Sequence, residues 1–374
     1  MKKALTIVAA IVTITLQAQT LSLRVMAKLP SAIDESSGVE VSDRNSIWSH
    51  NDSGGKPELY QFDSAGVLMR TLEIQNAGNR DWEEITRDSD GNIYVGDFGN
   101  NSNNRTNLVI YKVMHPDIVS ATSVSAPTIN FTYPDQHAFP PAAALQNFDM
   151  EAMFWYNHSL YLFSKNRTSP YTGYTNLYRL PDTAGTYVAT LVDSFYTGPG
   201  PVYNSWVTAA DISPDGKTVA LLSGNGILLF TNIAGDNFFG GNVQRLNFAA
   251  STQKEALVFI SNNELYITEE GNTANLYYAN LSSYIPVITG IDPLKKKTEI
   301  KLYPNPALNG QAQLQLAEGF IGSDLIIQNS KGQTVYSAVV TDNVMQLNMA
   351  LPAGIYFISI SGKQQSITRR IMIE

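Results

Sequence analysis

The sequence predicts an all-β protein: a β-propeller, with five blades favoured and six possible, followed by a small C-terminal β-sandwich. Three observations lead to this prediction. The 374-residue chain contains 26 glycines and 19 tyrosines and alternates short apolar segments with polar turns, as strands and turns require. A three-strand unit recurs five times in the centre of the chain. A different strand-rich stretch follows a lysine run near residue 295.

The composition excludes several classes of function. The chain contains no cysteine, which excludes disulfide bonds, zinc–thiolate sites and cysteine nucleophiles. Its formal net charge of −8 argues against nucleic acid as a partner, because phosphate binding requires a basic surface. Hydrophobic residues make up 44% of the chain, which is enough to bury a core and argues against a disordered protein.

Residues 1–18 have the three parts of a secretory signal peptide. Lys2 and Lys3 form a basic start, residues 4–16 are apolar, and Ala18 supplies the small residue before a cleavage site. This apolar run is too short to span a bilayer comfortably, and no later segment reaches the roughly 18 apolar residues that a membrane-spanning helix needs. The sequence therefore predicts an exported protein whose mature chain has no transmembrane segment.

The central region, residues 21–290, contains the five repeats. Aligning their second strands places five residues in one column, with spacings of 46, 67, 58 and 47 residues: Ile47, Ile93, Leu160, Thr218 and Leu265. These spacings match a four-stranded propeller blade with two longer insertions. Candidate fourth strands follow four repeats, at residues 67–74, 128–133, 188–195 and 243–248.

The fifth repeat lacks a fourth strand of its own. We expect the N-terminal strand, residues 21–29, to complete that blade, which closes the ring and removes an exposed sheet edge. A sixth, degenerate blade would have to come from residues 114–148 or 282–290.

The end of the chain forms a separate domain in this interpretation. Residues 291–298, which contain Pro293 and three consecutive lysines, are interpreted as a linker, and residues 299–374 as an antiparallel sandwich. This tail is similar to the C-terminal sorting domain of the type IX secretion system of Bacteroidota. The similarity lies in four features: Tyr303-Pro304-Asn305-Pro306, the Lys331-Gly332 turn, Leu351-Pro352-Ala353-Gly354-Ile355-Tyr356 and the pair Arg369-Arg370. The resemblance implies that the type IX machinery is a partner and that the protein is secreted, extracellular or attached to the outer-membrane surface.

Acidic and amide side chains recur where the predicted inner strands begin. Inner strands of a propeller line the central channel, and apolar residues would pack better there unless the acids had a role. The acids at the strand starts are Asp81, Glu83, Glu84, Asp149, Glu151, Asp211 and Glu255. The loops after the second strands add His50, Asp52, Asp97, Asn100, Asn101, Arg105, Lys165, Arg167, Glu269 and Glu270. We expect these residues to form a polar, acidic ligand-binding site at one mouth of the channel.

These residue types favour two kinds of chemistry. Carboxylates and amides are hard oxygen donors that suit calcium, and Asp81, Glu83 and Asp97 are the expected ligands. Alternatively, Glu84 or Glu151 acts as a general base.

The basic residues have two possible roles, and each acid also has a structural explanation. Lys165, Arg167 and Arg105 would either neutralise the acids or bind an anionic substrate through paired hydrogen bonds. A structural role, in which individual acids cap loops and pair with neighbouring strands, explains each acid taken alone.

The order of short motifs in residues 31–281 resembles a family of secreted bacterial β-propellers that are similar to the esterase-like domain associated with phytases. The family's motifs are HNDSG, DWEDI, GDxGDN, DAEAL and VTGADISPDG. This chain has HNDSG at 50–54, DWEEI at 81–85, GDFGNN at 96–101, DMEAM at 149–153 and VTAADISPDG at 207–216. The resemblance implies a propeller with a polar face and only loosely an enzyme. Asn100 stands where the family motif has aspartate, which lowers the local negative charge and the metal affinity expected there.

Two functions follow from the sequence. The first is a secreted or cell-surface propeller that binds an unidentified ligand, such as a glycan. The alternative is a calcium-dependent extracellular hydrolase of a phosphate or carboxylic ester; a glycosidase with paired carboxylates is a weaker third. Aromatic residues that would stack on sugar rings are Trp82, Trp155, Tyr171, Tyr174 and Trp206.

Overall fold

The computed structural model describes residues 19–200, 202–271, 274–285, 301–316, 320–329, 332–361 and 366–374. The chain forms two compact units that divide between residues 287 and 288. The predicted signal peptide (1–18) and linker (291–298) lie outside the described residues. Among the described residues, we find no helix of the length and apolarity that a membrane crossing requires.

Strands dominate the first unit, with 3-10 turns at Ala143–Leu145, Val202–Asn204 and Phe238–Gly240. The first twelve strands are β1 (Gln19–Leu21), β2 (Arg24–Lys28), β3 (Ser36–Asp43), β4 (Ser46–Asn51), β5 (Glu58–Phe62), β6 (Leu68–Ile74), β7 (Trp82–Arg87), β8 (Ile93–Asp97), β9 (Leu108–Val113), β10 (Ser123–Val124), β11 (Thr128–Thr132) and β12 (Asp149–Tyr156). The next eleven are β13 (Ser159–Lys165), β14 (Tyr174–Pro181), β15 (Gly185–Val188), β16 (Thr190–Tyr196), β17 (Ala209–Ile212), β18 (Thr218–Ser223), β19 (Gly226–Thr231), β20 (Asn242–Phe248), β21 (Lys254–Ser261), β22 (Glu264–Glu269) and β23 (Asn275–Asn280).

These strands form a ring of sheets. Within each sheet, strands that follow one another in the sequence pair in antiparallel orientation. The sheets are built on β3–β6, on β7–β9 with β11, on β12–β14 with β16, on β17–β20, and on β21–β23 with β2. The innermost strands β3, β7, β12, β17 and β21 pack against one another in turn, and β21 packs against β3. This arrangement confirms the predicted all-β, propeller-type fold.

The N-terminal segment is divided between two sheets. β2 pairs antiparallel with β23, with Arg24 opposite Tyr278, and so completes the last sheet as the sequence predicts. β1 instead pairs parallel with β20, with Gln19 opposite Leu246. Residues 114–148 supply β10 and β11, which extend the sheets of β6 and β9 rather than forming a sheet of their own. Short parallel strands thus cover the outer edges of three sheets.

Apolar side chains fill the spaces between adjacent sheets. Tyr94 from β8 packs with Met150 and Leu162 from the next sheet, and Trp48 packs with Trp82 across the preceding junction. β8 and β13 are buried along nearly their whole length because both of their faces are covered. The cores therefore lie between sheets, which leaves the polar residues of the innermost strands at the central axis.

The second unit contains two sheets on one apolar core. Its strands are β24 (Lys301–Tyr303), β25 (Gln311–Gln315), β26 (Asp324–Asn329), β27 (Thr334–Val339), β28 (Val344–Asn348), β29 (Gly354–Ser361) and β30 (Ser366–Ile373), with a 3-10 turn at Leu308–Gly310. β24, β25 and β28 form one sheet, and β27, β26, β29 and β30 form the other. Leu314 from the first sheet and Ile358 from the second belong to the same buried cluster.

Candidate functional site

The innermost strands deliver polar side chains to one end of the central channel. Ser37 is the second residue of β3, Glu83 the second of β7 and Glu255 the second of β21. Glu151 is the third residue of β12. Because these strands all begin at the same end of the ring, their first residues meet there. We call this end the first mouth, and the end at which the same strands finish the second mouth.

A cavity of about 200 Å³ occupies the first mouth. Its walls are formed by Ser37, Asp52, Glu83, Asn101, Glu151, Lys165, Gln253, Glu255 and Glu270. Seven of the residues expected at this site thus come together: Asp52, Glu83, Asn101, Glu151, Lys165, Glu255 and Glu270. The prediction missed Ser37 and Gln253. Ser37 occupies the position of Glu83 and Glu255 in its own repeat, so the repeat alignment was the signal that could have found it.

Two cations are fixed among the acids of the cavity. The Lys165 Nζ lies 2.9 Å from an Oε2 of Glu151. Arg167 donates from Nε to Asp149 at 2.6 Å, and its terminal nitrogen lies 3.4 Å from Glu151 and also contacts Asn101. Both cations lie against the ring of Trp206, with Arg167 4.4 Å from its centroid.

The carboxyl groups outnumber these cations and raise one another's pKa. Burial, reinforced by neighbouring acids, raises the pKa of Asp52 to about 6, of Asp149 and Glu270 to about 7 and of Glu255 to about 8. Although burial alone would lower it, the surrounding acids, led by Glu151, raise the pKa of Lys165 above its usual range. The first mouth therefore holds more acids than cations, and a further cation would favour the ionised form of these acids.

Three of the carboxylates form a set that fits a metal ion. Oxygen atoms of Asp52, Asp81 and Glu83 all lie within 4.8 Å of one another. Burial raises the pKa of Asp81 and of Glu83, and the charges of nearby acids add to the effect. Gly99 lies directly against them, since a Cβ at this residue would sit 2.1 Å from Glu83 Oε1 and 2.6 Å from Asp81 Oδ2. Clustered carboxylate oxygens are the donors that calcium prefers.

The predicted metal ligand Asp97 does not belong to this set. Its Oδ1 accepts a hydrogen bond from the buried Arg105 guanidinium at 2.7 Å, and Arg105 also donates to the Gly99 carbonyl at 2.7 Å. The Asn100 side-chain oxygen accepts from the backbone N–H groups of Asn104 and Arg105. Asp97, Asn100 and Arg105 thus shape the loop that presents Gly99, whereas Asp52 lies beside Asp81 and Glu83.

His50 lies away from the cavity walls. The imidazole is fully buried with its edge against Trp82, and burial lowers its pKa to about 4. Its Nδ1 donates to the Asn51 carbonyl at 2.9 Å, which fixes the ring. We therefore assign His50 a packing role.

Glu84 and Asp211 lie deeper in the channel. A β-bulge between Trp82 and Glu84 sends consecutive glutamates to different places. The Glu84 carboxylate on β7 accepts from the Ala210 N–H on β17 at 3.4 Å, reaching past β12 across the channel. Asp211 accepts from the Phe259 N–H at 2.7 Å. Glu84 therefore stands between the two mouths rather than beside Glu151.

Comparison with known proteins identifies the end of the chain. Residues 301–374 match the family model of the secretion system C-terminal sorting domain. These residues are a sorting domain. The protein is accordingly secreted or attached to the outer-membrane surface, and its sorting domain engages the type IX secretion system. No curated protein matches the chain.

Solved structures resemble the chain only distantly. PorZ, a surface component of the type IX secretion system of Porphyromonas gingivalis, is 13% identical with a TM-score of 0.29; the match covers 90% of this chain and 51% of PorZ, so the chain spans about half of that protein. A gluconolactonase from Xanthomonas campestris is 12% identical over 71% of this chain and 88% of its own, with a TM-score of 0.40. A protein of unknown function from Bacteroides thetaiotaomicron is 8% identical over 69% and 75%, with a TM-score of 0.41. At these similarities, no activity is carried over to this chain.

Proposed function

We propose that the first unit is a five-bladed β-propeller and that the sorting domain is a β-sandwich. The closed cycle of packing among the five innermost strands supports the blade count. The cluster shared by the two sheets of the second unit supports the sandwich.

We propose that this propeller is a secreted or surface-attached binding protein whose first mouth takes up calcium together with a polar ligand, such as a glycan or an ester. The observation that carries the proposal is the convergence of Asp52, Asp81 and Glu83 at the edge of the cavity that contains Lys165. Ionised carboxylates at these distances repel one another, and a divalent ion bound between them would offset that repulsion. The remaining walls, Glu255 and Gln253 among them, offer hydrogen-bond acceptors and donors to the ligand.

Calcium titration calorimetry of the purified protein tests the proposal. We expect saturable uptake by the wild type and loss of uptake in Asp81→Asn and Glu83→Gln. Gly99→Ala should also lose uptake, because its new methyl group displaces both carboxylates without changing the charge. Asp90→Asn, which changes an exposed acid in a turn, is the matched control and should bind like the wild type. Absence of calcium uptake by the wild type, or equal uptake by all four variants, would refute the site.

The alternative function is a calcium-dependent hydrolase of a phosphate or carboxylic ester. The position of Glu151 favours it, because its carboxylate lines the cavity and is held in place by Lys165 and Arg167. A calcium ion at the neighbouring carboxylates would polarise the oxygen of a bound ester. Glu151 would then accept a proton from the attacking water. Glu84, the other predicted base, does not line this cavity.

Turnover of nitrophenyl phosphate and nitrophenyl acetate, with calcium or with a chelator, distinguishes the two functions. A hydrolase predicts calcium-dependent release of nitrophenol that Glu151→Gln abolishes while calcium uptake persists. If calcium binds but neither ester turns over, the hydrolase is rejected and the binding function stands.

A further inference from the structure

The second mouth of the channel contains a cavity of about 770 Å³, larger than the cavity of the first mouth. All five innermost strands contribute to it, through residues at or near their C-terminal ends. Glu84 crosses the channel between the two mouths, since its carboxylate on β7 reaches the Ala210 N–H on β17. The second cavity is therefore separate from the calcium site proposed above.

One wall of this cavity is aromatic. Trp155 and Tyr156, at the end of β12, are half-buried and line it together. The indole N–H of Trp155 donates to Asp182 at 2.9 Å, and the Trp155 backbone N–H donates to the Thr86 hydroxyl at 2.9 Å. Because both N–H groups are engaged, the ring is held in one orientation and offers apolar surface to the cavity.

The floor carries two carboxyl groups in fixed orientations. Glu40 accepts from the Val41 N–H at 2.8 Å, and Asp211 accepts from the Ile212 N–H at 2.8 Å and from the Phe259 N–H at 2.7 Å. Both groups line the cavity. Among the described residues, neither group forms an ion pair with a lysine or arginine.

The arginines at the rim are already engaged. Arg87 donates to Asp117 and to the Ser42 hydroxyl, and Arg44 pairs with Glu264. The cavity thus combines the fixed indole ring of Trp155 and the oriented carboxyl groups of its floor with arginines that already have acidic partners. This combination disfavours phosphate or carboxylate ligands, because both lining arginines, Arg44 and Arg87, already pair with acids and leave the charge of an anion without a partner.

We propose that the second mouth binds a neutral carbohydrate. The pyranose ring offers an apolar C–H face that stacks on Trp155, while its hydroxyl groups donate hydrogen bonds to Glu40 and Asp211. The volume is within the range of small-molecule sites, and the lining combines aromatic and aliphatic side chains with polar and charged ones, as a ligand with an apolar face and several hydroxyl groups requires. Of the aromatic residues predicted to stack on sugars, Trp155 lines this cavity, whereas Trp82 is buried and Trp206 holds Lys165 and Arg167.

Titration of the full protein with cellotetraose, maltotetraose and N-acetylchitotetraose, followed by saturation-transfer NMR and calorimetry, tests this proposal. We expect saturable binding of at least one tetrasaccharide, weakened by about tenfold or more in Trp155→Ala, since loss of a stacked ring costs on the order of 1.4 kcal/mol. Glu40→Gln, which keeps the side-chain shape, should weaken binding as well and guards against a folding defect in Trp155→Ala. Tyr303→Ala, which removes an exposed aromatic ring from the second unit, is the control and should bind like the wild type.

Three results would overturn the proposal. The first is no saturable binding of any of the three sugars. The second is binding that survives Trp155→Ala and Glu40→Gln but is lost in Asp81→Asn, which places the sugar at the first mouth. The third is a loss of calcium uptake in Glu40→Gln, which makes the second mouth a cation site. The first and second results concern sugar binding alone and leave the calcium titration of Asp81→Asn and Glu83→Gln unaffected, so the sugar proposal can fail while the calcium proposal stands.

Discussion

Replacing Glu40 by glutamine is expected to stabilise the protein at pH 8 and to leave its stability at pH 4 almost unchanged. Glu40 is 8% exposed, and burial, reinforced by Asp211, raises its pKa from 4.5 to about 8. A carboxyl with a raised pKa holds its proton more tightly in the folded than in the unfolded chain. Its favourable contribution is complete below about pH 4.5 and is lost as the pH rises through about 8.

The size of the effect follows from the same shift. One pKa unit corresponds to about 1.4 kcal/mol, so a change from 4.5 to about 8 amounts to roughly 4 kcal/mol at pH 8 if Glu40 carries it alone. Asp211 shares the interaction, so we expect roughly 2–4 kcal/mol, or a Tm difference of about 5–15 °C for a domain of this size. Glutamine keeps an oxygen that can accept from the Val41 N–H, so the backbone bond survives.

Thermal unfolding followed by circular dichroism between pH 4 and pH 8, in the presence of a calcium chelator, measures this effect. The wild-type Tm should fall towards pH 8 more steeply than that of Glu40→Gln. Glu73→Gln makes the same chemical change on the exposed side of β6 and should follow the wild type. Parallel pH curves for wild type and Glu40→Gln, or an equal gain from Glu73→Gln, would refute the reasoning.

Three further changes have defined outcomes. Arg105→Met leaves Asp97 buried without its cation and should lower the urea-unfolding free energy by roughly 3–5 kcal/mol; a loss below about 1 kcal/mol contradicts the structural role given to this pair. Gly66→Ala, at φ +80°, puts a Cβ 2.0 Å from the Lys28 carbonyl oxygen, so it should lower the unfolding free energy by well over the roughly 1 kcal/mol that a positive φ alone costs. Gly54→Ala, at φ +78° with open space around it, should cost only about 1 kcal/mol. Equal losses of unfolding free energy in the two variants would contradict the contact with β2. Removal of residues 301–374 should leave the protein in the periplasm on cell fractionation, and normal release would contradict the sorting role.

The repeat pattern was sufficient to predict the propeller-type fold and the N-terminal strand that completes the last sheet. Turns and alternating strands depend on local sequence, so they are visible directly in the repeat alignment that matches Ile47 with Ile93. The N-terminal segment was predicted as one strand, whereas it is divided between β1 and β2. Sequence alternation does not specify which neighbouring edge each part of an extended segment covers, because either pairing satisfies its backbone groups.

The candidate site was predicted in outline but not in its details. The acids at the inner-strand starts converge, yet Glu83 and Glu84 separate because a bulge breaks the two-residue alternation at that point. Asp97 was predicted to be a metal ligand, but it pairs with Arg105, which lies eight residues further along the chain. Whether an acid faces a cavity or an internal cation depends on loop conformation, which composition and spacing do not encode.

The pairing of β2 with β23 has a consequence for export. The two strands are about 250 residues apart in the chain, and the ring stays open until both are present. Contacts of such long separation form late and slowly, because the chain entropy of closing the intervening loop must be overcome first. A chain threaded through a secretory translocon would therefore close its ring only after its last repeat has crossed the membrane.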